Sequence, residues 1–414
     1  MNRSKIIVAA LAVPTALAIA GCAAITPAAA PQPAAAAAPA PAAVAPAPAA
    51  GALAAYEGTL EQIYSQVNPS VVHVEVVEQA SAQAAPPDPF GMFGGQQGQP
   101  QVQVGSGSGF LWDTSGHIVT NNHVVAGASK ITVTLADGTT VPAKVVGADP
   151  TSDLAVIVVD PKVIAGLQPI KVGDSTQVKV GQLAIAIGNP FGLDGTMTTG
   201  IISAIGRSLP TGDGSAPSYT IPNVIQTDAS INPGNSGGVL LDDAGRLIGV
   251  TAAIESPVRA SSGVGFAIPA AIVQQEAPAL IKDGHYDHPW LGLSGSTLTP
   301  DEAQAMGLPA GQRGALVGSI VSGGPADKAG LRGSDRQVTI NGMQGQVGGD
   351  VITALDGQPV KDFDSLVAYL ADHTKVGQSV SVTLLRDGKE QTVSLTLATR
   401  PSDPAPVASS ASGQ

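Results

Sequence analysis

The chain has 414 residues, 43% of them hydrophobic and 13% charged, with 50 glycines, 33 prolines and few aromatics. That length holds two domains plus tails, and the balance argues against a disordered chain. A formal net charge of −12 leaves no basic surface for phosphates, which sets aside a non-specific nucleic-acid role.

Residues 1–21 read as a secretory signal: Arg3 and Lys5 precede an apolar run from Ile6 to Ala20, broken by Pro14 and too short for a stable membrane span. The run ends Ile19-Ala20-Gly21-Cys22, which resembles a bacterial lipoprotein cleavage site. Cys22 is the one cysteine, so no intramolecular disulfide is possible, and lipidation of its thiol is the expected anchor. An ordinary signal cut at a small residue is the alternative.

Residues 22–52 are almost wholly Ala and Pro and read as a spacer. A short amphipathic segment, Leu60 to Tyr64, leads into a strand from Ser70 to Glu78, and 86–105 is Pro/Gly/Gln-rich and reads as a surface loop. Strand signals follow at 130–135, 140–146, 154–159, 183–187, 197–205, 239–251 and 265–268, and a helix from Pro269 to about Asp283 closes a domain spanning 53–284. So many short strands between turns predict a β-barrel or sandwich. A small α+β domain, 285–400, has strands near 315–321, 337–340, 351–355, 380–385 and 392–398 and a helix at 364–373. Residues 401–414 form a polar, disordered tail.

A serine hydroxyl becomes a nucleophile only when a base takes its proton and a third group orients that base. His123 stands at the end of an apolar strand, Asp153 directly precedes another, and Ser236 lies in Gly234-Asn235-Ser236-Gly237-Gly238. The glycines permit a tight turn whose N–H groups, drawn from Gly234, Asn235 and Ser236, can face a developing oxyanion. Gly234-x-Ser236-x-Gly238 also fits the nucleophile elbow of α/β-hydrolases, but a strand follows Ser236 and the histidines downstream lie outside the strand-rich domain. The six histidines show no metal-ligand spacing, so neither a metal nor an organic cofactor is expected.

These framings, in the order His, Asp, Ser, resemble the trypsin-like serine peptidases and specifically the HtrA/Deg family. The resemblance covers roughly 55–400 and rests on Gly107-Ser108-Gly109-Phe110, Thr120 to Val124, Ser152 to Val156, Gly188-Asn189-Pro190-Phe191-Gly192, and Gln226-Thr227-Asp228 leading to Asn232 to Gly238. It implies a mostly β, two-barrel chymotrypsin-like domain with His123 as general base, Asp153 as its orienter and Ser236 as nucleophile. Asn235 stands where enzymes activated by a freed N-terminus carry Asp, which closes that route. Control would then come from the loops after Gly188 and from Glu255 to Gly263.

Ser230 occupies the pocket-base position, so small or medium aliphatic side chains are expected there, with Ile231, Ala252, Ala253 and Ile254 as walls and edge. The second domain resembles a PDZ module, which takes up a peptide as an added strand. Leu291, Gly292 and Leu293 would receive a C-terminal carboxylate. An insertion at about 332–348 separates two motifs that usually lie close together. The resemblance further implies an exported endopeptidase of misfolded or unfolded proteins in the cell envelope, membrane-anchored and trimeric. A chaperone or peptide sensor with weak or cryptic protease activity is the alternative.

Overall fold

The structure is a computed structural model that describes residues 48–79, 102–190, 192, 195–211, 219–252 and 263–401. The signal, Cys22, most of the spacer, Ala253, Ile254, the 255–262 loop and the tail after 401 lie outside the described residues. The chain divides into two units, Met1–Ala52 and Leu53–Gln414, and both folded domains belong to the second.

Helix α1, Pro48–Val67, starts inside the expected spacer and is much longer than the short segment anticipated. Alanine is the strongest helix former, and Pro48 stands at the one end where proline is tolerated. Ile63 and Val67 are buried in the main core, and Asn68-Pro69 ends the α-helix.

The first barrel comprises β1 (Val71–Gln79), β2 (Val102–Leu111), β3 (His117–Asn121), a one-turn helix α2 (Asn122–Val125), β4 (Ala128–Thr134), β5 (Thr140–Asp149) and β6 (Leu154–Val158). Its strands close in the order β1-β2-β3-β6-β5-β4, so no hydrogen-bonding edge is left open. Val72, Val74 and Val76 alternate along β1 and meet Leu111, Ile118, Val133 and Ile157 inside.

The second barrel comprises β7 (Leu183–Gly188), β8 (Thr196–Thr211), β9 (Tyr219–Thr227), β10 (Val239–Leu241), β11 (Leu247–Ala252) and β12 (Gly265–Pro269), closed as β10-β11-β12-β9-β8-β7. Strand β9 has no counterpart among the expected strands. Pro222 and Asn223, the latter at φ 56°, interrupt its alternation, and its register with β8 shifts three times. Helix α3 (Ala270–Asp283) follows and ends at Gly284, whose φ of 79° suits a left-handed cap. It lies so close to the first barrel that a Cβ on Gly147 would sit 2.3 Å from the Leu280 carbonyl oxygen.

The C-terminal domain opens with β13 (Pro289–Trp290), β14 (Leu293–Thr297), α4 (Pro300–Ala305), β15 (Ala315–Ile320) and α5 (Pro325–Lys328). Hairpin β16 (Arg336–Ile340) and β17 (Met343–Val347) is the anticipated insertion, folded as a separate two-stranded sheet. Then come β18 (Val351–Leu355), β19 (Gln358–Pro359), α6 (Phe363–His373), β20 (Ser379–Arg386), β21 (Lys389–Thr396) and β22 (Ala398–Thr399). The main sheet runs β14-β15-β18-β20-β21, and β22 pairs with β13. Asp362 caps α6 by accepting the Ser365 N–H at 2.8 Å.

Asp350 is 1% exposed and receives Arg386 through Nε at 2.8 Å and Nη2 at 2.7 Å, with the Arg332 N–H at 2.8 Å. Removing one partner of such a pair strands a buried charge. Arg386→Met should therefore destabilise the C-terminal domain by about 3–5 kcal/mol, and Arg386→Met with Asp350→Asn by less. Chemical denaturation of both variants checks this; equal losses would contradict it.

Candidate active site

Strands β3 and β6 pair with Asn121 opposite Leu154, which sets the residues just beyond each strand side by side. His123, on α2, and Asp153, just before β6, meet there. The Asp153 carboxylate grips His123 twice, accepting its backbone N–H at Oδ1 (2.9 Å) and its Nδ1–H at Oδ2 (2.7 Å). This fixes the imidazole with Nδ1 protonated and leaves Nε2 as the basic nitrogen. The His123 side chain is 45% exposed and that of Asp153 14%, so the imidazole is open to solvent while the carboxylate is shielded.

Asp153 adopts φ 55°, a conformation non-glycine residues hold only when their surroundings impose it. Its carbonyl accepts the Asn122 N–H at 3.0 Å and Asn121 Nδ2 at 2.9 Å. The strained residue is thus clamped at both ends by the segment carrying His123.

Ser236 comes from the second barrel, on the connection from β9 to β10, and is 5% exposed. Gly234 (φ 94°) and Gly237 (φ 83°) bend the chain on either side of it. A Cβ on Gly237 would lie 2.2 Å from the Ser108 carbonyl oxygen and 2.5 Å from Thr120 Oγ1, and one on Gly107 would touch both Val124 and the Ser236 carbonyl. Those approaches bring the nucleophile turn against the segment bearing His123. The Gly237 N–H donates to Thr251 O at 2.8 Å and the Asn235 N–H to Asn232 O at 2.9 Å. Of the three amides expected to face an oxyanion, Asn235 is therefore corrected: its N–H is spent inside the turn.

Ser108, which the sequence offers only within the motif Gly107-Ser108-Gly109-Phe110, ties these parts together. It is fully buried; its N–H donates to Ser236 O at 2.7 Å and its Oγ donates to Gly234 O at 2.6 Å. The same Oγ accepts the Asn189 N–H at 2.8 Å, and its carbonyl accepts Thr120 Oγ1 at 2.7 Å. His73, also unanticipated, holds the loop after Gly188: its Nδ1–H donates to Asn189 O at 2.8 Å, and its ring lies against Gly192.

Ser230 is exposed and Ile231 buried just upstream of Ser236. A Cβ on Gly265 would sit 2.6 Å from Ile231 Cγ1, so the glycine makes room for the isoleucine. Ala252 is buried at the end of β11. Leu291, Gly292 and Leu293 stand at the start of β14, where Gly292 takes φ 80°. Behind the Asp153 turn, Asp149, Glu276 and His288 bring metal-ligating atoms within 4.8 Å of one another, a cluster that histidine spacing gave no sign of.

A trypsin-like peptidase domain model matches residues 107–250 and a PDZ domain model matches 289–397. A probable periplasmic serine protease of the do/HhoA type from Haemophilus influenzae is 38% identical over 357 residues, 82% of this chain and 72% of that relative. The chain belongs to the DegP/HtrA family. Another relative, the chloroplastic Protease Do-like 1 of Arabidopsis thaliana, is 47% identical over 73% of this chain. The periplasmic serine endoprotease DegP of Salmonella typhimurium is 42% identical over the same share. The chain spans only 66% and 59% of those two relatives' lengths. Among solved structures, the HtrA-type protease AlgW with a decapeptide aligns at a TM-score of 0.62 and 36% identity, over 82% of this chain and 98% of that one. The mostly β architecture of two six-stranded barrels followed by a PDZ domain is thus that of the HtrA fold.

Glu276 is 4% exposed, and burial, followed by the nearby Asp149 charge, pushes its carboxyl well above the ordinary value of 4.5. Burial also acts to raise Asp149, but the His288 hydrogen bond and charge, with Thr151 and Ser152, outweigh it and hold that carboxyl low. A raised folded-state pKa contributes stability that is complete below the unfolded value, about 4.5, and is lost as pH rises through the folded value. Glu276→Gln mimics the protonated form at every pH. Its melting temperature relative to wild type should therefore climb as pH rises above about 4.5; a pH-independent difference would show that Glu276 ionises normally.

Proposed function

We propose that the chain is a serine endopeptidase of the cell envelope that cleaves unfolded or misfolded proteins, with its PDZ domain taking up C-terminal peptides. One observation carries the reading: the paired grip of Asp153 on His123, set against a buried, glycine-flanked turn that presents Ser236.

Ser236 Oγ attacks the scissile carbonyl carbon while His123 Nε2 takes its proton, and Asp153 stabilises the imidazolium that results. The carbonyl oxygen gathers negative charge opposite the N–H groups of Gly234 and Ser236. The C–N bond then breaks and the leaving amine receives the proton from His123, which leaves an acyl-enzyme. A water deprotonated by the same nitrogen hydrolyses that ester and returns the proton to Ser236.

In the specificity pocket, an uncharged Ser230 and a bulky Ile231 favour small aliphatic side chains over Arg or Lys. Periplasmic relatives and the signal-like first 21 residues support export, and the segment ending in Cys22 supports a lipid anchor to the outer face of the cytoplasmic membrane or elsewhere in the envelope. A trimer is the assembly the resemblance favours.

Ser236→Ala should lower casein turnover by a factor on the order of 10⁶. Equal digestion by wild type and variant would end the enzymatic reading, and negligible turnover by both would favour a chaperone or peptide sensor. Ile231→Ala should shift kcat/KM toward bulkier aliphatic or aromatic residues by about 10-fold; an unchanged preference would remove Ile231 from the pocket. Cys22→Ala should move the protein to the soluble fraction, and unchanged membrane retention would count against lipidation.

A further inference from the structure

Asp153 is held in its strained conformation by more than the triad. The residue before it, Ser152, is 4% exposed, and its Oγ lies 2.9 Å from Asp149 Oδ2 and 2.5 Å from Glu276 Oε2. A hydroxyl has one proton and cannot donate to two carboxylates. One of the two contacts is then a carboxylic acid donating to Ser152, and Glu276, the shorter contact at 2.5 Å and the carboxyl that burial pushes upward, fits that role. Ser152 then donates onward to Asp149, which also accepts the Thr151 N–H at 2.9 Å and His288 Nε2–H at 2.5 Å. The chain of donors closes as Glu276 to Ser152 to Asp149, with His288 entering from the other side. Asp149 Oδ2 thereby receives both the Ser152 hydroxyl and His288 Nε2.

The geography of the four residues is what matters. Asp149 and Ser152 frame the turn that carries Asp153, and Glu276 projects from α3. His288 belongs to the linker: Pro289 follows at once, and Leu291 to Leu293 lie three to five residues on. Its carbonyl accepts the Arg400 N–H at 3.0 Å beside the last strand of the PDZ domain, and its ring meets Tyr286 edge-on at 4.8 Å. Ser152, Glu276 and His288 also line a cavity of about 270 Å³ whose other wall includes Leu293 of β14 and Leu366 and Leu370 of α6. That wall is the groove in which a PDZ domain adds a peptide strand.

We infer that His288, Asp149, Ser152 and Glu276 are positioning residues that mount the triad's Asp153 on the linker to the PDZ domain, so that displacement of that domain is felt at Asp153. This rests on the peptidase reading above. Moving His288 withdraws a charge-assisted donor from Asp149, frees the 149–152 turn, and lets the strained Asp153 relax away from His123 Nδ1. The effect falls on kcat, because the orientation of His123 matters in the transition state and little in substrate binding.

The test uses the full chain and a short chromogenic peptide substrate, with active sites titrated so that rates refer to folded enzyme. His288→Ala and Ser152→Ala should each lower kcat by about 10-fold with KM changed less than about two-fold. His288→Gln, which keeps an N–H donor, should recover most of the loss. The circular dichroism spectra of all three variants should match that of the wild type, which separates a loss of positioning from a loss of fold. Unchanged kcat per titrated site in His288→Ala and Ser152→Ala, even with a lower melting temperature, would overturn the relay, and so would a Gln variant no better than Ala. Should His288→Ala yield too little folded protein, Ser152→Ala with the same readouts decides. A wild-type chain without activity would instead sink the peptidase reading, so the two failures stay distinct.

Discussion

The 2.7 Å hydrogen bond from the Ser108 N–H to the Ser236 carbonyl joins the two barrels at the line that divides the triad. His123 and Asp153 belong to one barrel and Ser236 to the other, so the proposed chemistry depends on how rigidly the barrels are seated. Ser108 supplies that rigidity because its amide, hydroxyl and carbonyl are all engaged away from water: with Ser236, with Gly234 and Asn189, and with Thr120. A buried polar residue whose groups are all satisfied specifies one arrangement, since any slip leaves several of them unpaired. Glycines complete the fit, because Gly237 approaches the Ser108 carbonyl closer than any Cβ would allow.

Within the first barrel the same logic works through register. Pairing of Asn121 with Leu154 fixes where the two strands end, and the Asp153 turn is then clamped from the His123 side by Asn121 and Asn122. Ser152 and its carboxyl partners clamp it from behind. Strain at Asp153 is thus held by neighbours on four elements, β3, α2, β5 and α3, which is the condition under which a site can keep an unfavourable backbone.

Much of this was legible in the sequence. The pairing of His123 with Asp153 follows from framings whose asparagines and apolar strands set their geometry, and alternation along β1 or the helix signal of α3 needs no tertiary information. Strand β9 was not legible because Pro222 and the left-handed Asn223 break the alternation that identifies a strand. The extent of α1 was hidden by a proline-rich approach whose alanines favour helix. Asn235 stood in the right tripeptide, but which amide a tight turn consumes internally is a matter of three-dimensional path. The cluster of Asp149, Ser152, Glu276 and His288 draws on three distant stretches of chain, so no spacing could reveal it. Ser108 is one residue of a short glycine-rich motif until the second barrel supplies its partners.

The central claim is that Ser236 stands assembled as a nucleophile with His123 behind it. The most direct measurement is reaction of the purified chain with a fluorophosphonate probe, read by mass spectrometry of the labelled peptide. The account predicts one label per chain, on Ser236, lost in Ser236→Ala and greatly slowed in His123→Ala. Labelling that is absent from the wild type, or that persists in Ser236→Ala, would contradict it.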